Sequence, residues 1–213
     1  ASLSRLSPGE LGVLAGAWIF TSWFRVSAVA AVLDAGEPSI TRALTGLVDR
    51  SLVEEGNDGT FRLLRVVRAD LERRATTEEA DRLRTRAAAW FARHGEPRAL
   101  AAVESGADPA TSLLEELDDV VLASGRVGPF RGRLARAARL GLEFRGEIRD
   151  ALRVVVDAEP HVNRSERPAL LCDIGRSARL LGDLTQAEAA YLRVLEAPTA
   201  VEEDRFQALR SEE

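Results

Sequence analysis

Acid-base, metal and nucleophilic chemistry has little to draw on in this chain of 213 residues, which carries two histidines, one cysteine and no lysine. His94 and His161 are far apart, one near a predicted helix end and one after a proline, and neither has metal-ligand spacing around it, so both read as surface residues. Cys172 follows Leu171 on the inward side of a predicted helix and reads as a small core residue, not a nucleophile. A single cysteine forms no intrachain disulfide, which points to a reducing cytoplasm. Without lysine there is no P-loop lysine, Schiff base or Ser-Lys dyad. The pairs Glu115-Glu116 and Asp118-Asp119 read as helix-surface carboxylates. The chain is therefore expected not to be an enzyme and to hold no metal or cofactor of its own.

What remains is arginine, which supplies all 29 basic residues. Three groups stand out. Arg65 and Arg68 lie in the stretch GTFRLLRVVRADLERR, residues 59 to 74, where a turn gives way to a helical pattern; either guanidinium could meet a nucleotide phosphate. Arg42, Thr45 and Arg50, with Thr41 and Asp49, form the outward side of a predicted helix and are the candidates for DNA contact. Arg133, Arg136 and Arg139 recur at i, i+3, i+6 inside a basic run, residues 126 to 153, and form a candidate patch for a phosphate or an acidic partner, against the plainer reading of a solvated helix face.

Charge bears on the DNA reading. Residues 1 to 95 hold 13 Arg against 12 Asp plus Glu, a net of +1, and the predicted hairpin tip carries Glu54, Glu55 and Asp58. A DNA reader ordinarily neutralises several phosphates with a basic face. Direct DNA contact stays as the alternative.

The elements that must position these residues follow from pattern. Ser7-Pro8-Gly9-Glu10 reads as an N-cap, a proline at the first helical position and a capping box, opening a helix to about Ala17. Trp18, Phe20, Trp23 and Phe24 should nucleate the N-terminal core. A short helix fits Val26 to Leu33, stopped by Asp34-Ala35-Gly36 with the glycine left-handed. The next starts at Ser39, with Ile40, Ala43, Leu44, Leu47 and Val48 as its apolar stripe. Ser51–Glu55 and Thr60–Leu64 flank the Asn57-Asp58-Gly59 turn as a hairpin. A helix with Leu63, Val67 and Leu71 inward ends near Arg74; another, capped by Thr76 and Glu79, runs to His94-Gly95 with Ala80, Leu83, Ala87, Trp90 and Phe91 inward.

Beyond Glu96 the periodicity is helical and broken by Gly and Pro. Residues 167 to 199 read as one tetratricopeptide-like hairpin, with Leu171, Ile174, Gly175, Ala178, Gly182, Ala187 and Tyr191 at the crossings and Pro198 closing it. A preceding pair, about 130 to 160, ends in the similar LRVVVDAEP but is off register, a degenerate copy.

The longest apolar run, Leu11 to Phe20, is too short to cross a bilayer, and no signal peptide is evident. The Arg-only, Ala-rich composition points to a GC-rich bacterial genome. With no Met and Ala1 first, the chain is expected to be a piece of a longer protein.

The run from SPGELGVLAGAWIF through VSAVAAVLD, ITRALTGLVDRSLVEE and GTFRLLRVVRADLERR to LRTRAAAWFARHG resembles the winged-helix segment of STAND-type signal-transduction NTPases. It is most similar to actinobacterial transcriptional regulators of the SARP and LuxR-like kind, which place that segment between an ATPase core and tetratricopeptide-like repeats. The resemblance covers about residues 5 to 95 and extends to the rest only as a class of helical repeat. It implies that ATP or ADP is bound in an upstream core of a parent protein. In that family a His at the end of the wing, in a Met-His-Asp type motif, contacts the β-phosphate of ADP. The matching positions are Leu63-Leu64-Arg65; Leu64 has no hydrogen to donate, so Arg65 or Arg68 would have to replace that contact.

The resulting expectation is a mostly α chain: a winged-helix domain with a small β-hairpin wing at 1–75, a linking helical region at 76–125, and tetratricopeptide-like helical hairpins at 126–213. Its function would be non-catalytic, relaying binding of a protein or peptide inducer on the repeats to the upstream NTPase core. Two alternatives stand beside it, a free-standing winged-helix DNA-binding regulator that dimerises through its helical part, and a pure protein-protein adaptor.

Overall fold

The computed structural model describes residues 5–105, 113–126, 128–197 and 204. Among them are ten α-helices and one three-stranded antiparallel sheet, so the chain is mostly helical. It divides into two compact units, Ala1–His94 with Asp108–Asp119, and Gly95–Ala107 with Val120–Glu213. The stretch 76–125 thus contributes to both.

In the first unit, α1 (Pro8–Ala17) opens with the expected capping box: the Ser7 hydroxyl accepts from the Glu10 N–H at 3.3 Å, and the Ser7 N–H donates to Glu10 Oε2 at 2.6 Å. Arg50 closes on the same carboxylate, its Nε 3.0 Å from Glu10 Oε1. The Ser7 hydrogen bonds first and Arg50 second hold the Glu10 carboxyl below its ordinary value, against a smaller upward push from burial. A carboxyl lowered in the folded chain contributes stability above the unfolded value, and that contribution is lost as pH falls through the folded one. Glu10→Gln is therefore expected to be less stable than the parent at pH 7, with the deficit shrinking at an acidic pH as the parent carboxyl takes up its proton. Urea midpoints at the two pH values check this; an equal deficit at both would assign the loss to packing.

β1 (Phe24–Arg25) precedes α2 (Val26–Leu33), an eight-residue helix without a charged side chain and accordingly buried on most sides. Its stop departs from expectation. Asp34, not Gly36, takes the left-handed conformation at φ 57°, with the Ala35 N–H reaching back to the Ala30 carbonyl at 3.0 Å. Aspartate tolerates that region better than most residues, which frees Gly36 to be the extended N-cap of α3 (Glu37–Asp49). α3 therefore starts two residues before Ser39, with Pro38 in its first turn where no N–H is needed. Ile40, Ala43, Leu44 and Leu47 are buried against α1 and α2 as the stripe requires, and Val48 is half-buried.

The hairpin forms as β2 (Val53–Glu55) and β3 (Thr60–Leu63), joined by one 3₁₀ turn over Asn57–Gly59, with Gly59 at φ 70°. The sheet has a third member that periodicity did not reveal. β1 pairs antiparallel with β3, Phe24 opposite Phe61, giving the order β1-β3-β2. A strand of two residues carries no alternation, so only the fold discloses it. Phe24 is fully buried and its ring lies 5.2 Å from that of Phe20, which in turn meets Phe91 edge-on at 6.1 Å.

α4 (Arg65–Arg74) starts after Leu63, which belongs to β3 instead of opening the helix. Val67 and Leu71 are half-buried, and none of its ten residues is fully covered. α5 (Thr77–Ser105) is capped by Thr76, whose hydroxyl accepts from the Glu79 N–H at 3.2 Å, and buries Ala80, Leu83, Ala87, Trp90 and Phe91 as expected. It does not stop at Gly95. That glycine is not among those with positive φ, and the helix continues through Pro97 to Ser105.

In the second unit, α6 (Leu117–Ser124), which straddles the division, is followed by two antiparallel pairs: α7 (Arg131–Phe144) with α8 (Ile148–Ala158), and α9 (Arg167–Leu180) with α10 (Leu184–Glu196). Gly146 at φ 79° and Gly182 at φ 78° end α7 and α9 in the same way. The off-register stretch 130–160 therefore makes a hairpin too. At the α9–α10 crossing a methyl group on Gly175 would stand 2.6 Å from the Tyr191 ring, so only glycine lets the helices approach this closely. Val155, Leu170, Leu171, Ile174, Ala178, Ala187, Tyr191 and Val194 form one core across the two pairs. Pro198 lies outside the described residues. Among those described, no helix is long and apolar enough to cross a membrane.

Candidate functional site

On α3 the outward residues Thr41, Arg42, Thr45, Asp49 and Arg50 are all exposed. Their polar groups are largely turned inward on the chain. The Thr41 hydroxyl donates to the Glu37 carbonyl at 3.0 Å and that of Thr45 to the Thr41 carbonyl at 3.1 Å. Arg50 is tied to Glu10, while Arg42 has no carboxylate partner among the described residues. On the hairpin, Arg62 lies 4.5 Å over the Trp23 ring and donates to Glu54 at 2.5 Å. Among the described residues the face beside α3 thus presents Arg42 without a carboxylate partner and a charge-compensated wing.

Arg65 and Arg68 both fall in the first turn of α4, Arg65 exposed and Arg68 3.8 Å from Glu72. Glu72 also faces Arg84 of α5 at 3.7 Å, a weak ion pair between α4 and its neighbour, while Val66 stands 76% exposed.

The row Arg133, Arg136, Arg139 is not one surface patch. Arg133 is exposed and Arg136 half-buried, but Arg139 is 4% exposed. An α-helix turns by 100° per residue, so two steps of three rotate the row off the solvent face and into the contact with α9. There Arg139 bridges two carboxylates, Glu143 at 2.7 Å and Asp173 at 3.1 Å; Arg136 donates to Asp173 at 2.8 Å, and the Ser177 hydroxyl to Glu143 at 2.7 Å. Neither a solvated face nor a partner patch describes it. The signal lay on the other helix, where Asp173 and Ser177 stand four apart on an otherwise apolar side.

A second correction concerns Asp118-Asp119 and Glu115-Glu116. Asp119, in the first turn of α6, is buried and accepts four hydrogen bonds: from the N–H and hydroxyl of Thr21, each at 2.7 Å, and from the N–H and hydroxyl of Ser22, at 3.2 and 2.7 Å. Burial pushes its carboxyl above the ordinary range and the four donors pull it back in part. Glu116 is also buried, 4.0 Å from the Arg25 guanidinium.

His94 and His161 are exposed, and His94 stacks on Trp90 at 4.9 Å. Cys172 is buried, and burial, with Asp204 and Asp173 nearby, pushes its thiol up to about 12. At neutral pH it is a thiol and not a nucleophile. No cluster of three or more metal-ligating side chains occurs among the described residues. Neither a family model, nor a curated protein, nor a solved structure matches this chain.

Proposed function

We propose that this chain is a non-catalytic regulatory and scaffolding segment of a STAND-type NTPase transcriptional regulator of a bacterial cytoplasm. In this reading residues 1–75 are a winged helix, the helix pairs of 126–213 are tetratricopeptide-like, and inducer binding on the repeats is relayed through the winged helix to a nucleotide-binding core. The element order α1-β1-α2-α3-β2-β3 with strand order β1-β3-β2 supports the first identification. The Gly175–Tyr191 crossing and the matching glycine exits support the second.

The observation that carries the relay is α4. A ten-residue helix with no buried side chain and with Val66 exposed gains little from its own unit, and so is suited to pack on another surface and to move with it. Where the parent reading frame supplies a core with G-x-x-x-x-G-K-[ST], that core, produced separately, is expected to bind this chain. Val66→Asp should weaken the complex about tenfold or more, since it places a charge in an apolar contact. Binding unchanged by Val66→Asp would remove α4 from the interface and with it this relay.

The DNA-binding alternative is tested on the same protein. With Arg50 tied to Glu10 and the wing charge-compensated, affinity for duplex DNA is expected to be weak, and Arg42→Glu with Arg50→Glu to leave it unchanged. A steep fall of affinity with salt, abolished by that pair of substitutions, would establish the DNA reading instead.

A further inference from the structure

We infer that the second unit carries a binding site for a small oxyanion-bearing molecule, a phosphomonoester or a carboxylate, in the cavity at the start of α9 and the end of α10. The cavity holds about 380 Å³ and is lined by three arginines, Arg164, Arg167 and Arg193, by the apolar Pro168, Leu171 and Ala197, and by one carboxylate, Glu196. That volume lies in the range of small-molecule pockets, and an apolar floor with a few convergent polar groups is how such pockets orient a ligand.

Arg164 and Arg167 come from one stretch at the start of α9 and Arg193 from α10, and the last two share one carboxylate. Glu159, which follows α8, lies 3.1 Å from Arg167 Nε and 2.8 Å from Arg193 Nη2. That carboxylate oxygen accepts a hydrogen bond from Arg193 and stands within ion-pair distance of Arg167, whose Nε has no hydrogen-bond partner among the described residues. A guanidinium has five donors in a rigid fork, so donors remain on both for a second oxyanion. The backbone contributes little net attraction. α9 begins at the cavity with the positive end of its dipole, and α10 ends there with the negative end, so the two offset. Selectivity for an anion rests on the arginines. The site stands independently of the relay reading, because it needs neither an upstream core nor motion of α4.

The test titrates the whole chain with phenyl phosphate and, separately, with succinate, following the arginine Nε–H resonances. Saturable shifts are expected at Arg164, Arg167 and Arg193 and none at Arg133, an exposed arginine of the same unit. A response to phenyl phosphate alone identifies a phosphomonoester site, and one to succinate alone a carboxylate site. Arg193→Gln and Arg164→Gln are each expected to weaken binding about tenfold, with Arg133→Gln unchanged. Shifts that fail to saturate with both probes by about 10 mM, weaker than any affinity of use, overturn the site. So do equal shifts at Arg133, which would mark diffuse attraction to an arginine-rich surface. The wild-type resonances decide the matter even if a substitution prevents folding.

Discussion

Arg139→Met is expected to destabilise the second unit by about 3–5 kcal/mol, the cost of removing one partner from a buried ion pair. The arginine's side chain is 5% exposed, and it is the group that Glu143 and Asp173 share, each of them about one-tenth exposed. Without it Glu143 retains only the Ser177 hydroxyl and Asp173 only Arg136 among the described contacts. The loss comes from stranded carboxylates more than from the absent attraction. Adding Glu143→Gln and Asp173→Asn to Arg139→Met should therefore restore more than half of the stability.

The chain carries its own means of locating the effect. Its three tryptophans, Trp18, Trp23 and Trp90, all lie in the first unit. Urea unfolding followed by tryptophan fluorescence should be unchanged in Arg139→Met, while the helical signal in circular dichroism acquires an early transition. A single substitution that costs less than about 1 kcal/mol, as an exposed pair would, contradicts the buried network. A triple variant no better than the single one would mean that the pair contributes net stability of its own. The network joins α7 to α9, the first helices of consecutive pairs, and so fixes the register in which one pair stacks on the next.

What could be read in advance follows the length of the signal. Ser7-Pro8-Gly9-Glu10, the α3 stripe and the inward face of α5 down to Phe91 each have several residues repeating one requirement, and the structure meets it. The crossing at Gly175 was legible because a small residue there has a geometric reason, whereas Gly182, expected at the crossing too, is the left-handed exit of α9. The misses have other causes. β1 is two residues long and exists only by pairing with β3. Asp34 displaced Gly36 as the left-handed residue because either can adopt that conformation, and position decides. The i, i+3, i+6 spacing conceals the burial of Arg139, because nothing in the helix's own sequence marks the Asp173 carboxylate of α9 that receives it. Arg164 and Arg167 are three residues apart, but only the packing of α10 on α9 brings Arg193 to them.

Asp119→Ala is expected to cost the first unit about 2–4 kcal/mol, because it strips the acceptor from two backbone N–H groups and two hydroxyls at once. Thr21 and Ser22 lie in the short link between α1 and β1, almost a hundred positions from Asp119 in sequence, and that carboxylate supplies acceptors to both residues. The first turn of α6 thereby substitutes for secondary structure in a stretch that has none. Asparagine should behave more like alanine than like aspartate, since its NH₂ would face donors on either Thr21 or Ser22 where the native oxygen accepts from them. Tryptophan fluorescence is the probe here, with the unfolding midpoint expected to fall. The pH dependence runs opposite to that of Glu10. Burial holds the Asp119 carboxyl above its ordinary value in the folded chain, so its ionisation opposes folding at neutral pH, and this opposition is relieved as pH falls through the raised value toward the unfolded one. The advantage of the parent over Asp119→Asn should accordingly widen on mild acidification, whereas its advantage over Glu10→Gln narrows. A deficit in Asp119→Asn that shrinks with acid would mean that the four donors outweigh burial and that the carboxyl sits low, as that of Glu10 does.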